Sequence, residues 1–275
     1  MKNLLIIIVI IMSTNLVFSQ SGWKRKEAVE PPMQLFQSTD VFDLPTAETL
    51  QKGDIYFSLT HKFVTPVSEG VNELFGFDGS VVMRIALGYA FTDDLLMKLG
   101  RSNYQGNYDL SFKYKTLEIK SDDFPIIVTL NAGISYNSKS SPEPEQTSKL
   151  YQYYGNLIIN SMIYDKIGIG LLPSILVNSN PYYPENINSI VLGAYLQYSF
   201  SNSLSVFAEA YPTLNGWRHN YDGYNLGVDL NTGGHFFKFV IGNNIYTNPN
   251  GVMTGAADKF ESGDLHIGFM IIRNL

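Results

Sequence analysis

No cysteine occurs in the 275 residues, so disulfides, thiolate metal sites, thiol nucleophiles and a lipid-anchored N-terminal Cys are excluded. Charge is scarce as well. Asp, Glu, Lys and Arg make up 16% of the chain, against about 25% in ordinary soluble domains. A positive excess is also missing: the formal charge is −6, which offers no long-range attraction for phosphate backbones, and no nucleic-acid partner is expected. Beyond residue 20 no apolar run approaches the roughly 18 residues of a spanning helix, so no transmembrane helix is expected. What the chain has instead is 45% hydrophobic residues, with 18 Tyr and 17 Phe. That is too much apolar surface for intrinsic disorder.

The first 19 residues read as a signal peptide. Lys2 supplies a positive n-region, Leu4 to Met12 an apolar core, and Val17-Phe18-Ser19 a small-residue cleavage pattern, with cleavage expected between Ser19 and Gln20. Losing Lys2 takes the charge from −6 to −7. From Gln20 to Lys52 the chain is polar, contains Pro31, Pro32 and Pro45, and has weak periodicity. Residues 20–52 are therefore expected to form a flexible or loosely packed periplasmic lead segment, ahead of a barrel over 53–275.

Period-two alternation dominates the remainder. Residues 53–64 put Ile55, Phe57, Leu59 and Phe63 on one face and Tyr56, Ser58, Thr60 and Lys62 on the other. Residues 80–91 repeat the pattern more sharply. Further strands are predicted near 95–104, 106–119, 126–137, 150–164, 167–178, 189–200, 204–212, 223–231, 235–246 and 263–274, making twelve. Joins after even-numbered strands are mostly tight, as in Thr92-Asp93-Asp94 and Thr232-Gly233-Gly234, whereas those after odd-numbered strands are mostly long. The short join near Gln105-Gly106 is the exception. This rhythm describes an all-β, twelve-stranded, antiparallel up-and-down transmembrane β-barrel with both termini on the periplasmic side.

A soluble β-protein would alternate too, so the charges decide. On the apolar parity only Arg273 is charged; the other parity carries Lys62, Arg84, Lys98, Asp109, Lys113, Lys115, Glu209, Asp229 and Lys238. A soluble barrel would do the reverse, with an apolar interior and charge outside. Those nine residues are therefore expected to line a lumen, and the apolar parity to face lipid. There a midplane charge costs about 2–4 kcal/mol. Aromatics at strand ends (Phe63, Tyr89, Phe91, Tyr136, Tyr198 and Phe200) fit interfacial girdles. The long loops carry an acidic excess, including Glu69, Glu73, Asp78, Glu143, Glu145 and Glu261.

Signals for chemistry are sparse. His61, His219, His235 and His266 lie apart with no HExxH pairing, so no metal site is expected. An outer-rim lipase or protease would need an activated Ser with His and carboxylate. His61 with Ser58 or Asp78 is the nearest approach, without a nucleophile signature around either. Gly168-Ile169-Gly170 lacks the third glycine of a dinucleotide loop, and its glycines are expected to relieve crowding in a curved sheet. No cofactor and no catalytic residue is assigned, and the protein is not expected to be an enzyme.

The stretch Leu226-Gly227-Val228-Asp229-Leu230-Asn231-Thr232-Gly233-Gly234-His235, followed by Phe237 and Ile241-Gly242-Asn243, resembles a segment of the Bacteroidetes barrel family catalogued as domain of unknown function 5777. His61-Lys62-Phe63, Arg84-Ile85-Ala86-Leu87-Gly88-Tyr89, Phe91-Thr92-Asp93, Lys113-Tyr114 and Gly268-Phe269 extend the resemblance over residues 53–275. It implies fold and location and brings no catalytic residues. The expectation is thus a monomeric, porin-like barrel in the outer membrane of a Gram-negative cell. Its partners would be outer-membrane lipid and, during insertion, the barrel assembly machinery. Its role would be structural or that of a narrow conduit for small polar or anionic solutes. The competing readings are an outer-rim enzyme and a soluble exported β-protein.

Overall fold

A computed structural model describes residues 33–140, 149–183 and 185–275. The cleavage site at Ser19 and Gln20 lies outside them. Strands follow in chain order as β1 (Ile55–Phe63), β2 (Val81–Thr92), β3 (Leu95–Ser102), β4 (Asn107–Ile119), β5 (Ile126–Asn137), β6 (Tyr151–Ile163) and β7 (Ile167–Val177). The second half supplies β8 (Ser189–Ser199), β9 (Leu204–Tyr211), β10 (Thr213–Asn215), β11 (Gly223–Asn231), β12 (His235–Gly242) and β13 (His266–Asn274). Neighbours pair antiparallel in sequence order, and β1 closes the circle on β13 through the register Leu59↔Ile271. The three residues of β10 continue β9 past Pro212 and pair with β8, so the closed wall has twelve staves. Closure removes both sheet edges, leaving no unpaired ladder to face lipid.

Burial alternates residue by residue along the strands. On β1, Tyr56, Ser58, Thr60 and Lys62 are buried, while Ile55 is exposed. On β2, Ile85, Leu87, Tyr89 and Phe91 are exposed on the outside, and Val82, Ala86 and Ala90 are buried. The ring pairs Tyr89–Phe91 and Tyr198–Phe200 meet edge to face at 5.0 and 4.9 Å on the outer face near the short-turn end. Boundaries differ from the sequence reading at β12, which stops at Gly242. There Asn243 turns its side chain onto the carbonyls of Asp222 and Asp258 and accepts the amide of Tyr224, taking the chain out of the ladder.

Two interior glycines have a steric reason. A Cβ at Gly170 would fall 2.1 Å from the Tyr195 ring, and one at Gly168 would fall 2.6 Å from the Phe36 ring. Bare backbone lets large lumen aromatics lie flat against the wall.

The facing can be tested on Leu87, which is 53% exposed on the outer wall. Leu87→Arg is expected to cost about 2–4 kcal/mol in lipid, whereas Leu87→Ala, losing only part of a lipid contact, should cost much less. Urea unfolding in vesicles reads the difference, and equal losses would mean that Leu87 does not face the bilayer.

Candidate functional site

The segment expected to be a loose lead is, in its described part, the filling of the barrel. Met33 to Lys52 runs through the lumen from the short-turn end, with Leu35, Phe36, Val41, Phe42, Leu44 and Ala47 buried. Local bonds give it shape. The amides of Leu35 and Phe36 donate to Glu48 Oε1 at 2.8 and 2.9 Å. A tight turn then forms as the Val41 amide donates to the Leu44 carbonyl and the Thr46 amide to the Thr39 carbonyl.

Wall residues grip that turn. Glu209 Oε1 accepts the amides of Phe42 and Leu44 at 3.0 and 2.9 Å, and Oε2 accepts that of Asp43 at 3.1 Å. Asp43 Oδ2 lies 2.6 Å from Lys62 Nζ and also accepts Tyr211 Oη and Asn225 Nδ2. Asp40 Oδ2 lies 2.6 Å from Lys98 Nζ and accepts the Tyr56 hydroxyl. Lys113 Nζ donates to the carbonyls of Thr39 and Thr46. Further along, Asn160 Oδ1 accepts the Ala47 amide, and Thr129 donates to its carbonyl. Phe42 stacks on Phe207 with 6.4 Å between centroids.

The nine predicted lumen charges thus divide by partner. Lys62, Lys98, Lys113 and Glu209 hold the plug. Arg84 pairs with Asp109 across β2 to β4 at 2.6 Å, and Lys238 pairs with Asp229 across β11 and β12. Lys115 sits near the short turns, 2.7 Å from Glu118. Tyr56 and Tyr211 point inward, as their parity requires, and the residues missing from the sequence reading are Asp40, Asp43, Asn160 and Asn225. One signal pointed toward them: the nine wall charges comprise six basic and three acidic residues, an excess that called for buried counter-charges, and the supposed lead segment contains Asp40 and Asp43.

A second stopper comes from the long-loop end. The connection between β12 and β13 folds inward around a one-turn helix, Pro249–Val252, and buries Val252 and Met253. Asn250 locks it to the wall, donating to Gln152 Oε1 and accepting from Ser135 Oγ. Between the stoppers remains a cavity of about 90 Å³ bordered by Leu44, Tyr56, Arg84, Lys98 and Met253. At 10–15 Å³ per water, that is room for about six to nine waters. Another cavity, of about 140 Å³, opens at the loop mouth between Tyr104, Asn180, Trp217 and His219.

The candidate catalytic grouping is not assembled. His61 packs on Phe269 with ring centroids 4.7 Å apart on the outward parity, whereas Ser58 is buried on the lumen side of the same strand. Among the described residues no three metal-ligating side chains converge.

In its fold the chain is similar to the COG4313 outer membrane channel from Pseudomonas putida F1, at 12% identity and a TM-score of 0.50, covering 83% of this chain and 98% of that one. It is similar also to Omp33 of Acinetobacter baumannii (7% identity, TM-score 0.40, 82% and 100% covered). A third likeness is to outer membrane phospholipase A from Escherichia coli (12%, 0.41, 80% and 92%). At such identities the likeness is one of fold alone. No curated protein matches the sequence. The family model described as the membrane-bound β-barrel domain, domain of unknown function 5777, matches residues 36–275, and the chain belongs to that family.

Proposed function

We propose that this barrel sits in the outer membrane of a Gram-negative bacterium as a narrow conduit for small polar or anionic solutes, kept shut by its own N-terminal segment. Export by residues 1–19, insertion by the barrel assembly machinery and life as a monomer complete the reading, and no enzymatic role is assigned. The observation that carries it is how the plug is held. Polar wall groups grip its backbone and its two aspartates, and Lys62, Lys98 and Lys113 find their partners in the plug rather than in the wall. Such contacts can be exchanged for water if the segment withdraws, and the exposed wall would then carry an uncompensated basic excess that favours anions.

Conductance in planar bilayers tests this. The full chain is expected to stay closed. A variant lacking residues 33–50 should conduct with an anion-selective reversal potential, and shortening the loop around Pro249–Val252 should raise the conductance further. A plug-less barrel that keeps its heat-resistant gel migration yet stays at the lipid baseline would favour the purely structural role.

A further inference from the structure

Four separate connections meet at the loop mouth to build a pocket that the plugged lumen does not need. We propose that this pocket binds a neutral monosaccharide unit. The inference goes beyond the conduit reading, since it requires only the mouth and holds whether or not the lumen opens.

The described lining is uncharged: among the described residues no Asp, Glu, Lys or Arg lines the pocket. Burial pushes the His219 imidazole below its usual value, so it too is neutral at pH 7. An anionic or cationic ligand would have to shed its hydration with no counter-charge in return.

The pocket's aromatic side chains cluster. Trp217 meets His219 edge to face at 4.7 Å, His219 stacks on Tyr246 at 5.0 Å, and Tyr246 lies against Tyr104 at 4.6 Å. Trp217, His219 and Tyr104 line the pocket with Tyr246 buried behind them, and such rings offer a surface on which the C–H face of a pyranose packs. The volume, about 140 Å³, is close to the roughly 150 Å³ cavity that accommodates one benzene molecule. That is room for the ring of a pyranose, whose outer hydroxyls would extend into the open mouth.

Several polar groups of the pocket are free to bond a ligand. Asn180 is 9% exposed and its Oδ1 accepts the Tyr182 amide. Its Nδ2 has no partner among the described residues. The ring nitrogens of His219 have none there either, and a neutral imidazole offers one donor and one acceptor. Hydroxyl groups, which both donate and accept, match that set.

By contrast, the backbone around these groups is held by hydrogen bonds. The His219 amide donates to the Thr254 carbonyl at 2.8 Å, Tyr221 and Ala256 exchange amide bonds at 3.0 and 2.8 Å, and Ser189 donates to the Trp217 carbonyl. Gln152 spends its amide on Asn250 and on the carbonyls of Asn178 and Ser179. Across the pocket, Gln105 holds a left-handed backbone with φ of 52°. A rigid frame with a few unpaired polar groups lowers the ordering cost of binding.

Trp217 and Trp23 are the two tryptophans, so Trp23→Phe leaves Trp217 as the sole tryptophan, read by excitation beyond the tyrosine band. The folded full chain with that change is titrated with glucose, galactose and mannose in an amine-oxide detergent, whose headgroup carries no sugar, and calorimetry runs in parallel. At least one neutral sugar should give a saturable response, Asn180→Ala should weaken it by about tenfold, and glucuronate and glucosamine should give none. Absence of saturation with all three neutral sugars, unchanged binding in Asn180→Ala, or equal binding of the charged analogues would each overturn the proposal. The conductance of the plug-less barrel is a separate readout, so either reading can fail alone.

Discussion

Replacing Glu209 with alanine is expected to release the N-terminal segment from the lumen while the twelve staves stay paired. Its carboxylate accepts three consecutive plug amides, those of Phe42, Asp43 and Leu44, together with Asn225 Nδ2. Each buried amide left without an acceptor costs about 1–3 kcal/mol, so three of them approach the whole stability of an ordinary domain, about 5–15 kcal/mol. Removing a buried negative charge beside Asp43 offsets part of that. The remainder has an escape route, because withdrawal of the segment rehydrates the amides, and the loss therefore appears as plug release rather than as barrel unfolding. Limited proteolysis reads it: cleavage within residues 39–46 should be rapid in Glu209→Ala and slow in the parent, with barrel migration unchanged. Glu209→Gln should fall between, since one carbonyl oxygen remains while its amino group opposes an N–H. Equal protection of the segment in parent and Glu209→Ala would mean that the grip lies elsewhere.

The parts legible in the sequence are those whose cause is local. Alternation along β1 and β2 follows from a strand's period of two with lipid on one side, so Lys62 and Arg84 could be placed inward and Leu87 outward from spacing alone. The plug has no such signature. Leu44 bonds Glu209 across 165 residues and Ala47 bonds Asn160 across 113, and contacts of that range leave no periodicity in the segment that makes them. Polar, proline-containing sequence satisfied by side chains of a distant wall looks the same as polar sequence satisfied by water. The loop-mouth pocket was hidden for a related reason, since Tyr104, Asn180, Trp217 and Asn250 come from four joins that share no motif. His61 misled through nearness in sequence: three residues from Ser58 on a strand puts the two side chains on opposite faces.

Asp229→Leu is expected to cost about 3–5 kcal/mol without freeing the plug or opening a current, because it strands a buried ammonium. Asp229 and Lys238 stand directly opposite one another on β11 and β12, with side chains 5% and 1% exposed. Lys238 otherwise has the Phe236 ring, 5.7 Å from its Nζ. A cation–π contact of that kind is worth about 1–2 kcal/mol and cannot replace a carboxylate. Neither partner of the pair bonds the segment from Met33 to Lys52, so the loss should stay in the wall. Removing both charges in Asp229→Leu/Lys238→Met should restore stability to the parent value or exceed it, since well-packed apolar groups of similar volume often match or better a buried ion pair. Unfolding midpoints of the two single variants and the double variant close the cycle. A single-variant cost under about 1 kcal/mol, the range of a solvated pair, would mean that water reaches Lys238 beside the plug.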